Sequence, residues 1–322
     1  MQRAFLGIEI GGSKLQLVAG AETAAILERQ RFTVDPALGA EGIRLQIAAA
    51  LPVLAAKWKP AAVGVGFGGP VDWRSGRLVR SHQIEGWSEF DLGGWLRELT
   101  GLPVTVENDS NLATLAEATL GAGAGFSPVF YFNLGSGVGG GLAIDGRIYH
   151  GRAPGEAEFG HLCLDKNGTI VEQRCSGWAI DRRLRALAVE APGSPLARLI
   201  GSSPGGEAKH LRASLEAGDG VARRVLSELA DDLGFALSHV VHSFHPEVIV
   251  LGGGLSSVGE PLRAAVAEAL PRYVMEVFQP GLQLKLAALG EDAVPLGALL
   301  LARHAKQATQ TVHAETRGAK SL

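Results

Sequence analysis

The two halves of the chain share one pattern: an apolar strand, a glycine-rich turn, a second apolar strand and, later, a strand that ends at paired glycines. In the first half the two strands that end at glycines are Phe5–Ile10 and Ala62–Phe67. In the second half they are Val129–Leu134 and Val248–Leu251. Apolar residues at helical spacing lie between these strands. The repeat predicts an α/β fold of two duplicated domains with a ligand-binding cleft between them.

The predicted domain boundaries follow this repeat. A smaller N-terminal domain is expected to cover residues 1–118 together with about 296–310. A larger C-terminal domain covers residues 119–295, with an insertion, mainly Gly151–Leu215, between its two glycine turns. The polar segment 306–322 is expected to form a flexible tail.

Composition and charge narrow the classes of function. The 30 Lys and Arg nearly balance the 33 Asp and Glu, so nothing favours nucleic acid or an anionic membrane as a partner. The two cysteines cannot build a disulfide framework, which favours a reducing compartment. Glu9 interrupts the apolar N-terminus, and the long uncharged run Ala118–Ile144 is rich in glycine and contains Pro128. We therefore expect a cytoplasmic protein without a signal peptide or a membrane span.

Two glycine turns are candidate phosphate sites. Gly11-Gly12-Ser13-Lys14 and Gly135-Ser136-Gly137 each lie between two strands, and a turn without Cβ atoms lets backbone N–H groups approach an anion. The alternative is a tight hairpin without a ligand, but matching positions in a duplicated fold favour binding. Gly135, Gly137 and Gly140 also spell GxGxxG, yet a strand follows instead of the helix that a nicotinamide site needs. No GxxxxGK[ST] sequence supports a P-loop.

Asp109 is the candidate general base. It lies in Glu107-Asn108-Asp109-Ser110-Asn111, where a predicted strand passes into a predicted helix. A carboxylate there can accept the proton of a substrate hydroxyl, and phosphoryl transfer otherwise needs mainly positioning and charge neutralisation. A helix N-cap or a solvated loop carboxylate is the alternative.

The segment Gly155-Glu156-Ala157-Glu158-Phe159-Gly160-His161 combines carboxylates with an imidazole. These groups suit recognition of a polyhydroxyl compound, because Glu accepts hydrogen bonds and His can donate them. A structural histidine and solvated glutamates are the alternative. A zinc site of His161, Cys163 and Cys175 is disfavoured, because no two cysteines stand at short spacing.

Together these stretches resemble the ROK family, named for repressor, open reading frame and kinase. That family comprises sugar kinases and related regulators on a duplicated RNase H-like fold of the actin/hexokinase type. The likeness extends from Gly7 to about Ala302. Six segments carry it in order: Leu6–Lys14, Gly64–Asp72, Glu107–Asn111, Gly135–Gly141, Glu158–His161 and His245–Leu255.

The resemblance implies ATP-dependent phosphorylation of a sugar hydroxyl, with Mg²⁺ as cofactor and Asp109 as the base. It implies a sugar site formed by Gly69, Asn108, Asp109, Glu158, His161 and Glu172. Glu172 stands four residues before Ser176-Gly177, as in the family. The ATP site implied by the resemblance comprises Gly11, Gly12, Ser13, Lys14, Gly135, Ser136 and Gly137 for the phosphates, and Gly253 and Gly254 for the adenosine.

The chain departs from the family pattern at two places. The first phosphate motif usually begins with Asp, and here Glu9 takes that position, from which it could hold Mg²⁺ through water. Many members bind structural zinc through a CxCGxxGC loop, which the shortened loop Asp165–Ile170 replaces here. We therefore expect no structural zinc. Regulators of the family carry a DNA-binding helix-turn-helix before the first motif, and none is expected here, because that motif starts at Leu6.

The favoured hypothesis is an ATP-dependent hexose kinase with glucose slightly preferred, acting as a homodimer as relatives suggest. Kinases for N-acetylhexosamines, such as N-acetylmannosamine or N-acetylglucosamine, or for fructose are the alternatives. A sugar-binding sensor that transfers phosphate poorly is a further one, which Glu9 supports, and a polyphosphate donor ranks last. Sugar identity depends on loops such as Asp72–Trp87, whose sequence is not diagnostic.

Overall fold

The computed structural model describes residues 3–79, 84–153, 157–201 and 205–318, with side chains described up to residue 306. Residues 80–83 of the Asp72–Trp87 loop, and Gly155 and Glu156 of the carboxylate-rich segment, lie outside the described residues. The chain forms two compact units. Unit 1 comprises Met1–Ala116, His150–Glu156 and Glu291–Leu322, and unit 2 comprises Glu117–Tyr149 and Ala157–Gly290.

Unit 1 contains a five-stranded sheet and a two-stranded one. Its strands are β1 (Ala4–Ile10), β2 (Lys14–Ala21), β3 (Ile26–Thr33), β4 (Val63–Phe67), β5 (Val71–Asp72), β6 (Arg77–Leu78) and β7 (Val104–Asn108). The larger sheet has the order β3-β2-β1-β4-β7. The three strands β1, β2 and β3 pair antiparallel, whereas β1, β4 and β7 run parallel.

Unit 2 repeats this topology. Its strands are β8 (Val129–Leu134), β9 (Val138–Ile144), β10 (Arg147–Ile148), β11 (Val248–Gly252) and β12 (Gln283–Leu286). They follow the order β10-β9-β8-β11-β12, with antiparallel pairing among the first three and parallel pairing from β8 through β11 to β12. The same order and the same pairing senses in both sheets confirm the predicted duplicated α/β architecture.

The helices pack on these sheets and fill the insertion of unit 2. They are α1 (Gly39–Trp58), α2 (Leu92–Thr100), α3 (Asp109–Leu120), α4 (Val171–Cys175), α5 (Gly177–Glu190), α6 (Pro195–Ile200), α7 (Leu211–Glu216), α8 (Gly220–Phe244), α9 (Glu260–Ala269) and α10 (Ala293–Gly318). The polar segment from Lys306 thus continues α10, and its flexibility stays a prediction. Unit 1 also takes in His150–Glu156, which the sequence analysis assigned to the domain at 119–295.

Helix α1 buries the stripe that its spacing predicts. Ile43, Ile47, Leu51 and Leu54 are all almost fully buried and join the core of unit 1 with strands β1 and β2. The segment Pro36–Trp58 is also long and apolar enough to cross a membrane. A helix that packs in a protein core meets the same criterion. Helix α1 has the regular buried stripe of such a core helix.

Glycines let helix α10 lie close to the sheet of unit 1. A Cβ atom at Gly64 would overlap the backbone carbonyl of Ala298, and one at Gly7 would lie 3.1 Å from the carbonyl oxygen of Pro295. Gly7 of β1 and Gly64 of β4 therefore serve the packing of α10, whereas other glycines form the turns that follow these strands.

Strand β9 begins inside the glycine-rich segment Gly135–Gly141. The structure starts the strand at Val138, so several of these glycines lie in the strand. A Cβ atom at Gly140 would lie 3.1 Å from the rings of both Phe130 and Phe159. Gly140 makes room for these aromatic side chains over the strand, and the turn itself is limited to Gly135-Ser136-Gly137.

Candidate active site

The parallel strands of unit 1 end together at one edge of the sheet. In the strand register Ile10 lies beside Phe67, which lies beside Asn108. The segments that follow these residues are the turn Gly11-Gly12-Ser13, the pair Gly68-Gly69 and Asp109. Three of the predicted motifs therefore meet at this edge. We call Gly11-Gly12-Ser13 the first turn.

A buried carboxylate supports the first turn. Glu9 Oε2 accepts a hydrogen bond from Gln16 Nε2 (2.7 Å), and Glu9 Oε1 lies 3.2 Å from Lys14 Nζ. The Gly11 N–H donates to the Lys14 carbonyl (3.0 Å), which closes the turn. Burial raises the pKa of Glu9, and the Lys14 ammonium opposes that rise.

Asp109 has the electrostatics of a general base. It is the first residue of α3, and its Oδ1 accepts a hydrogen bond from the Ser110 N–H (2.7 Å). A Cβ atom at Gly68 would lie 3.4 Å from its Oδ2, so glycine leaves that oxygen uncrowded. Desolvation raises the pKa of Asp109 to about 6; the Ser110 hydrogen bond opposes this, and the Glu9 carboxylate adds to it. A base with a pKa near neutrality suits proton transfer from a hydroxyl.

Asn108 holds the start of α3 and the turn after β4. Its Oδ1 accepts hydrogen bonds from the N–H groups of Ser110 (2.8 Å) and Asn111 (3.2 Å), while its Nδ2 donates to the Gly69 carbonyl (3.1 Å). The two predicted sugar ligands Asn108 and Gly69 are therefore direct neighbours. The amide of Asn108 has a second N–H for a further acceptor.

Sequence reasoning gave no role to Glu107 and His150. Glu107 is buried, and its Oε2 lies 2.6 Å from Nε2 of His150, a half-buried residue 43 positions later in the chain. The signal for Glu107 was a charged residue at the end of an otherwise apolar strand. No local pattern marks His150, because only the fold brings it to β7.

Unit 2 supports its glycine turn with Glu172. Glu172 Oε2 accepts a hydrogen bond from the Val138 N–H (2.9 Å), directly after Gly135-Ser136-Gly137, which we call the second turn. A Cβ atom at Gly137 would lie 2.5 Å from the same oxygen. The Gly177 N–H donates to the Gly135 carbonyl (2.8 Å), so the ends of α4 and α5 both contact this turn.

Of the two glycines predicted to lie near the adenosine, Gly253 contacts the end of the strand that precedes the second turn. Gly253 has a φ of 79°, which favours glycine, and a Cβ atom there would overlap the backbone of Leu134, the last residue of β8. A Cβ atom at Gly254 would meet open space. Only Gly253 is therefore required by packing.

The Glu158-Phe159-Gly160-His161 segment contacts β9 through its glycine. A Cβ atom at Gly160 would overlap the Val138 carbonyl, and the Phe159 ring packs edge-on against Phe130 with centroids 4.5 Å apart. The side chains of Glu158 and His161 are exposed. The buried residues of the segment thus anchor the two predicted sugar ligands.

Hydrogen bonds close the loop that replaces the family's zinc site. Asp165 Oδ1 accepts from the N–H groups of Asn167 (2.6 Å) and Thr169 (3.3 Å), and Cys163 forms a β-bridge with Ile170. Within the described ranges no cluster of three or more His, Cys, Asp and Glu residues is arranged to hold a metal ion. The expectation of no structural zinc stays a prediction.

Comparisons with known proteins agree with the motifs. The model of the ROK family matches residues 5–305. Glucokinase from Thermotoga maritima is 30% identical over 301 residues, which cover 91% of this chain and 95% of that protein. Glucokinase from Streptomyces coelicolor is 31% identical over 310 residues, covering 92% and 97%.

Solved structures match over nearly the whole chain as well. A ROK family glucokinase from Streptomyces griseus, crystallised with glucose and AMPPNP, is 31% identical with a TM-score of 0.81, covering 94% of this chain and 99% of that one. The ROK hexokinase from Thermus thermophilus is 30% identical with a TM-score of 0.75, covering 93% and 97%. These matches confirm the predicted actin/hexokinase-type fold class. The chain therefore belongs to the ROK family.

Proposed function

We propose that this protein is an ATP-dependent sugar kinase that phosphorylates a hydroxyl group of a hexose, with glucose as the favoured acceptor. The observation that carries the proposal is Asp109, a carboxylate with a pKa of about 6 at the strand edge where the first turn and Gly69 also lie. The glucokinase relatives, each about 30% identical over most of the chain, support the same reaction.

On the sugar side, we assign hydroxyl contacts to Gly69, Asn108, Glu158, His161 and Glu172, as the family resemblance implies. The free N–H of the Asn108 amide is a donor for a sugar oxygen. Carboxylates accept from sugar hydroxyls, and the exposed His161 ring can donate. Recognition of a polyhydroxyl ligand needs this mixture of donors and acceptors.

On the nucleotide side, the first and second turns bind the phosphates of ATP through backbone N–H groups, with Ser13, Lys14 and Ser136 beside them. Gly253 and Gly254 lie next to the adenosine. The Glu9 carboxylate helps to raise the pKa of Asp109, and these two carboxylates would hold Mg²⁺, Glu9 through water, because oxygen ligands suit a hard cation. Mg²⁺ would neutralise the charge that develops on the phosphate oxygens.

Asp109 accepts the proton of the sugar hydroxyl. As the hydroxyl oxygen bonds to the γ-phosphorus, the bond from that phosphorus to the bridging oxygen of the β-phosphate breaks, and ADP leaves with its electron pair. The Ser110 N–H fixes one carboxylate oxygen, so the other is available to the substrate. With the base positioned in this way, the phosphoryl group passes directly to the sugar, and the reaction needs neither a cysteine nor a covalent intermediate.

The test is Asp109→Asn in a coupled assay of ADP release with hexoses, hexosamines and N-acetylated sugars. We expect wild type to turn over at least one sugar, and the variant to lose roughly 10²–10⁴-fold in kcat while it still binds the sugar. Wild-type turnover by the variant would exclude Asp109 as the base. Absence of turnover of every sugar by wild type would exclude the kinase assignment.

One observation favours a second candidate, a sugar sensor that transfers phosphate poorly. The ammonium of Lys14 in the first phosphate motif is already paired with Glu9, so less of its charge is available for ATP. Titration calorimetry that detects sugar binding without ATP consumption would select this alternative. We further propose that the protein is cytoplasmic. We also propose that it forms a homodimer, which size-exclusion chromatography with light scattering would test.

A further inference from the structure

We infer that His150, acting through Glu107, is a positioning residue that sets the geometry of the catalytic carboxylate Asp109. The inference rests on the proposed function and concerns two residues that no sugar or ATP contact uses. It follows from the hydrogen bonds of Glu107, the surroundings of His150 and the chemistry of a buried carboxylate.

Glu107 connects three parts of the site edge. It is 2% exposed, and its Oε1 accepts hydrogen bonds from the Asn108 N–H (2.8 Å) and from Asn111 Nδ2 (3.0 Å). Asn108 and Asn111 flank Asp109 and Ser110 at the start of α3. The position of the Glu107 carboxylate therefore fixes the turn that carries Asp109.

The second oxygen of Glu107 depends on His150. The distance from Glu107 Oε2 to His150 Nε2 is 2.6 Å. A buried carboxylate that loses such a partner must take a proton, turn towards water or draw in a solvent molecule. Protonation weakens the hydrogen bonds that Oε1 accepts from Asn108 and Asn111, and rotation breaks them. A displacement of about 1 Å at a catalytic group can lower turnover about 10²-fold.

An aromatic stack holds the ring of His150. The imidazole lies on the indole of Trp73, with centroids 4.1 Å apart and planes inclined by 19°. The guanidinium of Arg74 lies 4.9 Å from the centre of the Trp73 ring. Because stacking and hydrogen bonding both act on His150, substitutions can remove one and keep the other.

His150→Phe keeps a ring for the stack and removes the hydrogen bond, whereas His150→Gln keeps an N–H donor of similar reach and removes the stack. We expect His150→Phe to lower kcat about 10- to 100-fold with KM for ATP within about twofold of wild type. We expect His150→Gln to restore kcat to within about fivefold of wild type. This rescue separates positioning by hydrogen bond from packing alone.

His239→Phe is the matched control, because His239 also contacts an aromatic ring, that of Phe235, and lies on helix α8 of unit 2, whereas His150 and β7 belong to unit 1. It should keep wild-type kinetics. If His150→Phe does not fold, His150→Asn replaces it, because the shorter amide cannot reach Glu107.

Two results would overturn the inference: wild-type kcat in the folded variant that lacks the hydrogen bond, or equal losses in that variant and in His150→Gln. Wild type serves as the reference for the proposed function. If wild type phosphorylates sugars and His150→Phe equals it, the inference alone fails. If wild type phosphorylates none of the sugars tested, the proposed function fails, and this inference with it.

Discussion

The first and second turns occupy equivalent places in two sheets of the same topology, yet different side chains support them. In unit 1 the carboxylate comes from the strand before the turn, as Glu9 pairs with Lys14 and Gln16 of the next strand. In unit 2 it comes from Glu172, which accepts a hydrogen bond from the N–H of Val138, 34 residues earlier in the chain. The duplicated backbone is therefore compatible with local support in one half and with support from an insertion in the other.

The segments that follow the third parallel strand of each sheet, β7 and β12, differ as well. Strand β7 is followed by Asp109, whereas β12 is followed by Ala287 and Ala288. Glycine turns thus occur in both halves, but the proposed catalytic carboxylate follows β7 and has no counterpart after β12. Because the Glu9 carboxylate helps to raise the pKa of Asp109, the first turn is coupled to the proposed base. The second turn is coupled instead to Glu172 and the inserted helices.

Among substitutions that compare the two turns, the largest effect should come from adding a methyl group to the second turn. A Cβ atom at Gly137 would lie 2.5 Å from Glu172 Oε2 and must displace that carboxylate, whereas the nearest atom to a Cβ at Gly135 is 3.7 Å away. We expect Gly137→Ala to lower kcat/KM for the sugar about 10²-fold. For Gly135→Ala, the matched variant in the same turn, we expect a loss in kcat/KM at least tenfold smaller. Steady-state kinetics with either substrate varied will measure both.

Equal losses in the two alanine variants would mean that the turn tolerates no side chain at all. The proposed link from the second turn to Glu172 would then have no kinetic consequence, and the contrast between the two turns would be structural only.

The next effect is the acid limb of the pH profile, which reports on unit 1. Desolvation raises the pKa of Asp109 to about 6, and only the ionised form accepts a proton. We therefore expect kcat/KM to fall about tenfold per pH unit below pH 6. Rates between pH 4.5 and 8 will measure the limb. A limb centred near pH 4 would show that Asp109 is not desolvated in the working enzyme.

The sequence predicted where the strands end better than it predicted which side chains hold the segments that follow them. Apolar runs that stop at glycines mark β1, β4, β8 and β11, and Asp109 stands out where an apolar strand meets a helical pattern. Strand β3 was not predicted, because Ile26–Thr33 mixes charged and apolar residues, as an edge strand does. Such a segment shows no continuous hydrophobic run.

Contacts between distant residues set the other limit. The Glu107–His150 pair joins positions 43 apart, and the Glu172–Val138 pair joins positions 34 apart. No local periodicity encodes such pairs, because the tertiary fold alone brings the partners together. The family resemblance assigned Glu172 to the sugar, and the structure adds its hydrogen bond to the second turn.

A smaller effect should follow from removing the charge of Glu9. Its carboxylate contributes to the raised pKa of Asp109, so Glu9→Gln should lower that pKa and move the acid limb to lower pH. The amide oxygen can still accept the hydrogen bond from Gln16 Nε2, and the Gly11 N–H still closes the turn on the Lys14 carbonyl. Glu28→Gln is the matched control, because Glu28 also pairs with a lysine, Lys57, but on another part of unit 1. Superimposable limbs in all three proteins would show that the first turn and the base are independent.

The smallest effect is on stability, and its sign should differ between the units. The pKa of Asp109 is raised in the folded state above its usual value of 3.8, so its stabilising contribution is complete below that pH and is lost as the pH rises through about 6. Asp109→Asn carries no charge to bury and should melt about 2 °C above wild type at pH 8, and no higher than wild type at pH 3.5.

Asp165 of unit 2 provides the opposite case. Hydrogen bonds, first from the Thr169 side chain, lower its pKa, so its contribution is present at neutral pH and is lost on acidification. Asp165→Asn should therefore melt slightly below wild type at pH 8. Calorimetric scans of both variants at the two pH values test the pair. A higher melting temperature for Asp165→Asn, or a lower one for Asp109→Asn at pH 8, would contradict this difference, because burial and hydrogen bonding act on the two carboxylates in opposite directions.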